Sequence, residues 1–247
     1  MAARDQIVGY ANELLEVAKW PEFAPPGLQV VGAPEVEKIV SGVSASRELF
    51  EHAAALDAQL VLVHHGLFWR NEPLVVDRRL RGRLEALFRA DLSLVAYHLA
   101  LDAHPEVGNA AQLAGRLEVE IEAPFAGVGI GGRLRTPLAV GELAAAVAAI
   151  VEREPLVLAG GPERVERLAI ATGGGGYELI AAAHAGYDAL LTGEPEEPSL
   201  HAARELGIHL LAAGHHATER LGVQALGARL AEHFGVAHEY VEIPNPV

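Results

Sequence analysis

The chain is predicted to be an α/β protein made of two quasi-repeated αβ halves with mixed sheets. Three observations lead there: short apolar runs alternate with segments of helical period, one long stretch recurs in degenerate form, and polar clusters fall where the predicted strands end. The expected organisation is a single two-lobed unit over 1–247, with a first half at 1–116 and a second at 117–247. The second half carries added antiparallel strands at about 117–160.

The elements follow in order. MAARDQIVGYANELLEVAKW reads as an amphipathic helix with Ile7, Ala11, Leu14 and Leu15 on one face. Strands are predicted at Glu37 to Val43, Gln59 to Val63 and Leu92 to Tyr97, with helices at Arg47 to Leu56 and Arg79 to Arg89 between them. A second series places strands at Val165 to Ala171, Asp188 to Leu191 and Ile208 to Ala212. Helices at Tyr177 to Ala185, Pro198 to Leu206 and Glu219 to Phe234 belong to that series. Runs of four to six apolar residues suit strands buried on both faces. Between the series, VEIEA and GVGIGGRLR predict antiparallel strands, and Val140 to Val151 a helix.

The two series resemble each other. VEKIVSGVSASRELFEHAAALDAQLVLVHHG, from Val36, lies over VERLAIATGGGGYELIAAAHAGYDALLTGEP, from Val165. LSLVAYHLALDAH, from Leu92, lies over IHLLAAGHHATER, from Ile208, which pairs His98 with His215 and Asp102 with Glu219.

Composition narrows the function classes. With 51% hydrophobic residues the chain can bury a large core, and the absence of Cys excludes disulfides and thiolate ligands. Any metal must be held by His, Asp and Glu. A formal charge of −14 disfavours a nucleic-acid partner, whose phosphates are bound through Lys and Arg. The helix carrying Arg79, Arg81, Arg83 and Arg89 is the one basic candidate, against an ordinary solvated face. No stretch approaches the roughly 20 apolar residues of a membrane span, and no signal peptide is legible, so a cytoplasmic protein is expected.

In open α/β sheets, ligands bind beyond the carboxyl ends of the strands. His64 and His65 follow LVLV, where neighbouring side chains diverge and can reach different ions or grip one. His98 and Asp102, and His215 and Glu219, each carry the spacing of four that puts two side chains on one face of a helical turn. A surface pair explains any one of these; all three at strand ends point to a metal site in the crevice between the halves. Five or six nitrogen and oxygen donors exceed one tetrahedral ion with an open position, so two divalent ions such as zinc, iron or manganese are expected. Their surplus positive charge would activate water as a nucleophile. Glu194, in TGEPEE, is expected beside the site as a general base or support. Gly173, Gly174 and Gly175 open a helix after a strand, where backbone N–H groups can hold a phosphate or merely make a tight turn. His184, His201, His209, His233 and His238 are assigned ordinary surface or packing roles, and Trp69 an apolar wall or core position.

The motifs HHGLFW, YHLALDAH, TGE and GHHATE, with the terminal IPNPV, resemble those of the GTP cyclohydrolase I type 2 family, also called NIF-three-like dinuclear metal proteins, over about Gly27 to Val247. Order and spacing are similar to the short bacterial members. Pro26 departs from the pattern, standing where the family commonly has Asn. The resemblance implies two metal ions on His64, His65, Asp102, His215 and Glu219 with His98 close by, and a toroidal homohexamer. It also implies conversion of GTP to 7,8-dihydroneopterin triphosphate plus formate; in a hydrolase built on this site, His98 or Glu194 is expected to move protons. The competing expectation is a non-enzymatic metal-binding ring or adaptor that binds single-stranded DNA or protein partners, for which Arg133 and Arg135 join the α-helical arginines as candidates.

Overall fold

The apolar run ending in His64 and His65 lies at the centre of a five-stranded sheet in the computed structural model, which describes residues 1–247. In chain order the elements begin with β1 (Ala2–Ala3), α1 (Arg4–Leu14), β2 (Gly27–Val30), β3 (Glu35–Val36), β4 (Lys38–Ser44) and α2 (Arg47–Ala55). β5 (Leu60–His65), α3 (Arg78–Arg89), β6 (Ser93–Ala96), α4 (Leu99–Asp102) and α5 (Asn109–Arg116) follow. Then come β7 (Val119–Phe125), β8 (Gly129–Ala139), α6 (Val140–Val151), β9 (Leu156–Leu158) and β10 (Arg164–Ala171). The chain ends with α7 (Leu179–His184), β11 (Ala189–Thr192), α8 (Ser199–Leu206), β12 (His209–Ala212), α9 (His215–Phe234) and β13 (Ala237–Tyr240).

Contacts divide the chain into two compact units. Unit 1 comprises Met1–Leu101 and Gly222–Pro244, and unit 2 comprises Asp102–Leu221 and Asn245–Val247. Unit 1 holds the sheet β13-β4-β5-β6-β2, parallel except for β2, and the small antiparallel pair β1-β3. Residues 222–244 belong with unit 1 because β13 pairs parallel with β4. Val40, Val61, Val63, Leu94 and Ala96 pack on Leu49, Phe50 and Ala53 of α2 and Leu87 of α3. Their alternating neighbours Ile39, Leu60 and Leu62 are just as buried, so both sheet faces are covered and the strands read as unbroken apolar runs. Ser46 caps α2 through Leu49 N–H, and Asp77 caps α3 through Leu80 N–H.

Unit 2 repeats the central device. In the sheet β7-β8-β10-β11-β12-β9, strands β10, β11 and β12 are parallel and the other three run antiparallel to their neighbours. Leu168 and Ile170 of β10 join the core under α5 and α6, whereas Ala169 and Ala171 join the core under α7 and α8. The series β4-α2-β5-α3-β6 and β10-α7-β11-α8-β12 thus share order and pairing, the topology that the repeat predicts.

Three short edge strands, β2, β9 and β13, and the eight-residue α5 lie outside the predicted elements. None of these edge strands carries a long apolar run, and β13 alternates exposed and intermediate residues. α9 begins four residues before the predicted Glu219, because Gly214, at φ +93°, turns the chain directly from β12 into the helix.

Candidate metal centre

Unit 1 brings three imidazoles together. One ligand nitrogen from each of His64, His65 and His98 lies within 4.8 Å of the others. His64 and His65 occupy the last two positions of β5, with ring centroids 4.7 Å apart. The His98 ring, just after β6, is 5.0 Å from His64 and 5.7 Å from His65.

Each ring is held from behind through Nδ1. His64, fully buried, bonds the Tyr97 carbonyl at 2.9 Å, and Tyr97 N–H in turn donates to Val63 O on β5. His65 Nδ1 lies 3.1 Å from Ser44 Oγ, its register partner across β4 and β5. His98 Nδ1 is 2.7 Å from Glu22 Oε2, and the other oxygen of Glu22 accepts from Leu99 N–H at the start of α4. With Nδ1 engaged, Nε2 is the nitrogen each ring offers to a cation, the arrangement by which metal-ligating histidines are oriented. Trp69 stands edge-on to His98 and His65 at 5.0 and 5.6 Å, and its indole N–H donates to Gly66 O, so it walls this trio.

Unit 2 supplies carboxylates. Asp102 and Glu219 are both buried, and a ligand oxygen of each lies within 4.8 Å of the other. Asn109 Nδ2 donates to Asp102 Oδ1 at 2.8 Å. His215, one turn before Glu219 on α9, places Nε2 3.1 Å from Glu219 Oε2 and binds Glu194 through Nδ1. Glu194 therefore orients His215 as Glu22 orients His98. The spacing of four works as predicted on α9, while His98 precedes the short α4 that ends at Asp102.

Like charges buried side by side repel, and the protein answers with a proton. The carboxylate of Glu219, then that of Glu194, raises the His215 pKa to about 9 against the opposing effect of burial. The raised value makes the sign definite: in metal-free protein the interaction stabilises the fold fully below about pH 6.5 and is lost as pH rises through about 9.

The glycine run serves this pair. Gly173 has φ +61°, and a Cβ there would sit 2.0 Å from Glu219 Oε1. Its N–H donates to Thr218 Oγ1 and its carbonyl accepts from Gly193 and Glu194 N–H. Gly175 is buried against Ala171 and Thr192. The Gly173 amide is thus engaged inside the fold rather than turned to a phosphate; Gly174 is the exposed member. Glu22, Asn109, Tyr97 and Ser44 are not singled out by sequence, because nothing in spacing distinguishes a supporting oxygen from any other. Among the remaining histidines, His209 bonds Pro162 O, His238 bonds Ser41 Oγ and His233 stacks on Tyr10, and none of the three belongs to a group of metal-capable side chains.

An α/β protein that gathers three imidazoles in one unit, and in the other two buried carboxylates with a histidine one helical turn from one of them, belongs to the class of candidate divalent-metal proteins. The model of the family Duf34/NIF3 (NGG1p interacting factor 3) matches residues 2–246, and the chain belongs to that family. It is 46% identical over 250 residues to a Pseudomonas aeruginosa protein named GTP cyclohydrolase 1 type 2 homolog, covering 99% of this chain and 98% of that one. An Escherichia coli K12 relative of the same name is 45% identical over 236 residues, covering 95% and 96%. Among solved structures, one described as protein ybgI, of unknown function, superposes with a TM-score of 0.96 at 43% identity over all of both chains. One from Thermus thermophilus gives 0.93 at 33%, also over all of both chains.

Two outcomes test this geometry. Because His215 must shed its proton to ligate, calorimetric titration with zinc at pH 7.5 in buffers of different ionisation enthalpy is expected to show proton release, diminishing as the pH approaches 9; buffer-independent heats would contradict it. Gly173→Ala is expected to lower metal affinity by roughly 10- to 100-fold by displacing Glu219. Gly174→Ala, whose Cβ meets nothing nearer than 4.0 Å, should leave affinity unchanged when both are measured by competition with a chelator.

Proposed function

We propose that the chain is a dinuclear divalent-metal hydrolase, with His64, His65, Asp102, His215 and Glu219 as ligands of two ions. The observation that carries this reading is the pair Asp102 and Glu219, two carboxylates buried within 4.8 Å of each other, together with histidines whose Nδ1 atoms are already engaged. Burying neighbouring anions is costly unless positive charge neutralises them. Imidazole and carboxylate suit zinc, iron or manganese. Ions of this kind supply Lewis acidity and a nucleophile derived from water at neutral pH.

The chain's own residues take the remaining roles in this reading. His98, steadied by Glu22 and walled by Trp69, carries protons to and from the substrate. Glu194 holds His215 rather than acting as a base, and Gly174 is the part of the glycine run that faces a phosphorylated substrate. GTP is the proposed substrate and 7,8-dihydroneopterin triphosphate plus formate the products, on the strength of the names of the relatives. A homohexameric ring belongs to the same reading.

The non-enzymatic, nucleic-acid-binding alternative is supported less. Arg79 pairs with Glu72, Arg81 with Glu85, Arg133 with Glu122 and Glu166, and Arg135 lies near Glu118 and Glu120. Guanidiniums already matched to carboxylates release fewer counterions on meeting phosphate. No helix of the chain is long and apolar enough to cross a membrane.

Protein loaded with zinc, iron(II) or manganese is expected to bind two ions per chain, to turn over GTP with release of formate, and to sediment at six times the chain mass. Asp102→Ala and His215→Ala should each lower metal content and abolish turnover while the chain stays folded by circular dichroism. Two bound ions without turnover of GTP under any of the three metals would overturn the proposed reaction, and wild-type metal content in both variants would overturn the ligand set.

A further inference from the structure

Six of the chain's seventeen arginines fall among residues 70–89, where only Glu72, Asp77 and Glu85 are acidic. A protein of net charge −14 thus carries one strongly basic segment. Its arginines surround a shallow concavity of about 630 Å³ lined by Arg47, Asp77, Arg78, Arg79 and Arg83. Arg79 and Arg83 also border a second, apolar slot walled by Phe23, Phe68, Trp69 and Val75. The two concavities therefore share a pair of guanidiniums, and the slot shares Trp69 with the wall of the imidazole trio.

Arg83 differs from its neighbours. Arg79, Arg81 and Arg89 reach carboxylates, and Arg47 pairs with Glu51, but Arg83 makes no ion pair. It is half-buried, and burial together with the nearby charge of Arg79 lowers its pKa. A partly desolvated guanidinium beside another gains most when an anion arrives between them. The slot next to it offers what a planar ring needs: aromatic and aliphatic walls, with Trp69 pinned by its bond to Gly66.

We propose that this surface binds a phosphorylated small molecule bearing a planar ring, its phosphates on Arg83 and the neighbouring Arg78 and its ring in the slot beside Trp69. It names a second anchoring region for the site, and it rests on the metal-centre reading only in taking the ring as the part that faces the imidazole trio. Charge complementarity and apolar walls together favour such a ligand over a polymer, for which the concavity would have to extend into a track of unpaired cations.

The test uses chelator-treated full-length protein, so that phosphate cannot bind through metal. GTP, ATP and flavin mononucleotide are titrated calorimetrically, alongside inorganic triphosphate and a 24-nucleotide single-stranded DNA. At least one of the ring compounds is expected to bind, more tightly than triphosphate, and Arg83→Gln is expected to weaken it at least about fivefold while leaving metal content and circular dichroism unchanged. No binding by any of the three, equal binding in Arg83→Gln, or triphosphate binding as tightly as the ring compounds would overturn the proposal. DNA that displaces the bound compound stoichiometrically would overturn it in favour of a nucleic-acid surface. Arg83-dependent binding without turnover by the metal-loaded enzyme would sustain this site and sink the hydrolase reading; turnover with Arg83-independent binding would do the reverse.

Discussion

The structure depends on histidines that are fixed before any cation reaches them. His64, His65, His98 and His215 each engage Nδ1 with an oxygen of their own unit: a backbone carbonyl, a serine hydroxyl and two carboxylates. The strand ends make this attainable. β5 places His64 beside the Tyr97 carbonyl that follows β6, and the register of β4 with β5 sets Ser44 against His65. A ring fixed in this way loses little conformational freedom on ligation, and its second nitrogen keeps one direction. The parallel strands position the site, and the oxygens behind the rings give it orientation.

The buried carboxylates impose the complementary constraint. Asp102 and Glu219 are anions buried close together, a costly arrangement that positive charge relieves, and Asn109 and His215 are among the groups that meet them. The glycine run yields space for the same pair, since any side chain at Gly173 would collide with Glu219. Small residue, positive φ and buried acid are one device, and the flexibility that could suggest a phosphate loop is used for packing instead.

Much of this is legible in the residues themselves. Apolar runs announce strands covered on both faces, and the degenerate repeat announces two parallel three-stranded cores, because both signals come from periodicity and burial. The five ligand candidates are legible because His and acid at a spacing of four, repeated after equivalent strands, is hard to account for otherwise. Glu22 and Asn109 are not, since each acts across a gap in sequence, 76 residues from Glu22 to His98, and a supporting oxygen has no spacing rule. The start of α9 at His215 escapes for a local reason: Gly214 reads as a turn that ends a strand, and only its φ of +93° shows that the helix begins at once. The edge strands β2, β9 and β13 escape because pairing with a neighbour, rather than their own composition, makes them strands.

The most direct measurement is anomalous diffraction from crystals of the protein loaded with zinc. The account predicts two peaks per chain, with ligand nitrogens that are Nε2 of the histidines at about 2.0–2.1 Å and with Asp102 and Glu219 contributing oxygens. A single peak, or rings turned to ligate through Nδ1 with their bonds to Tyr97, Ser44 and Glu194 broken, would contradict it.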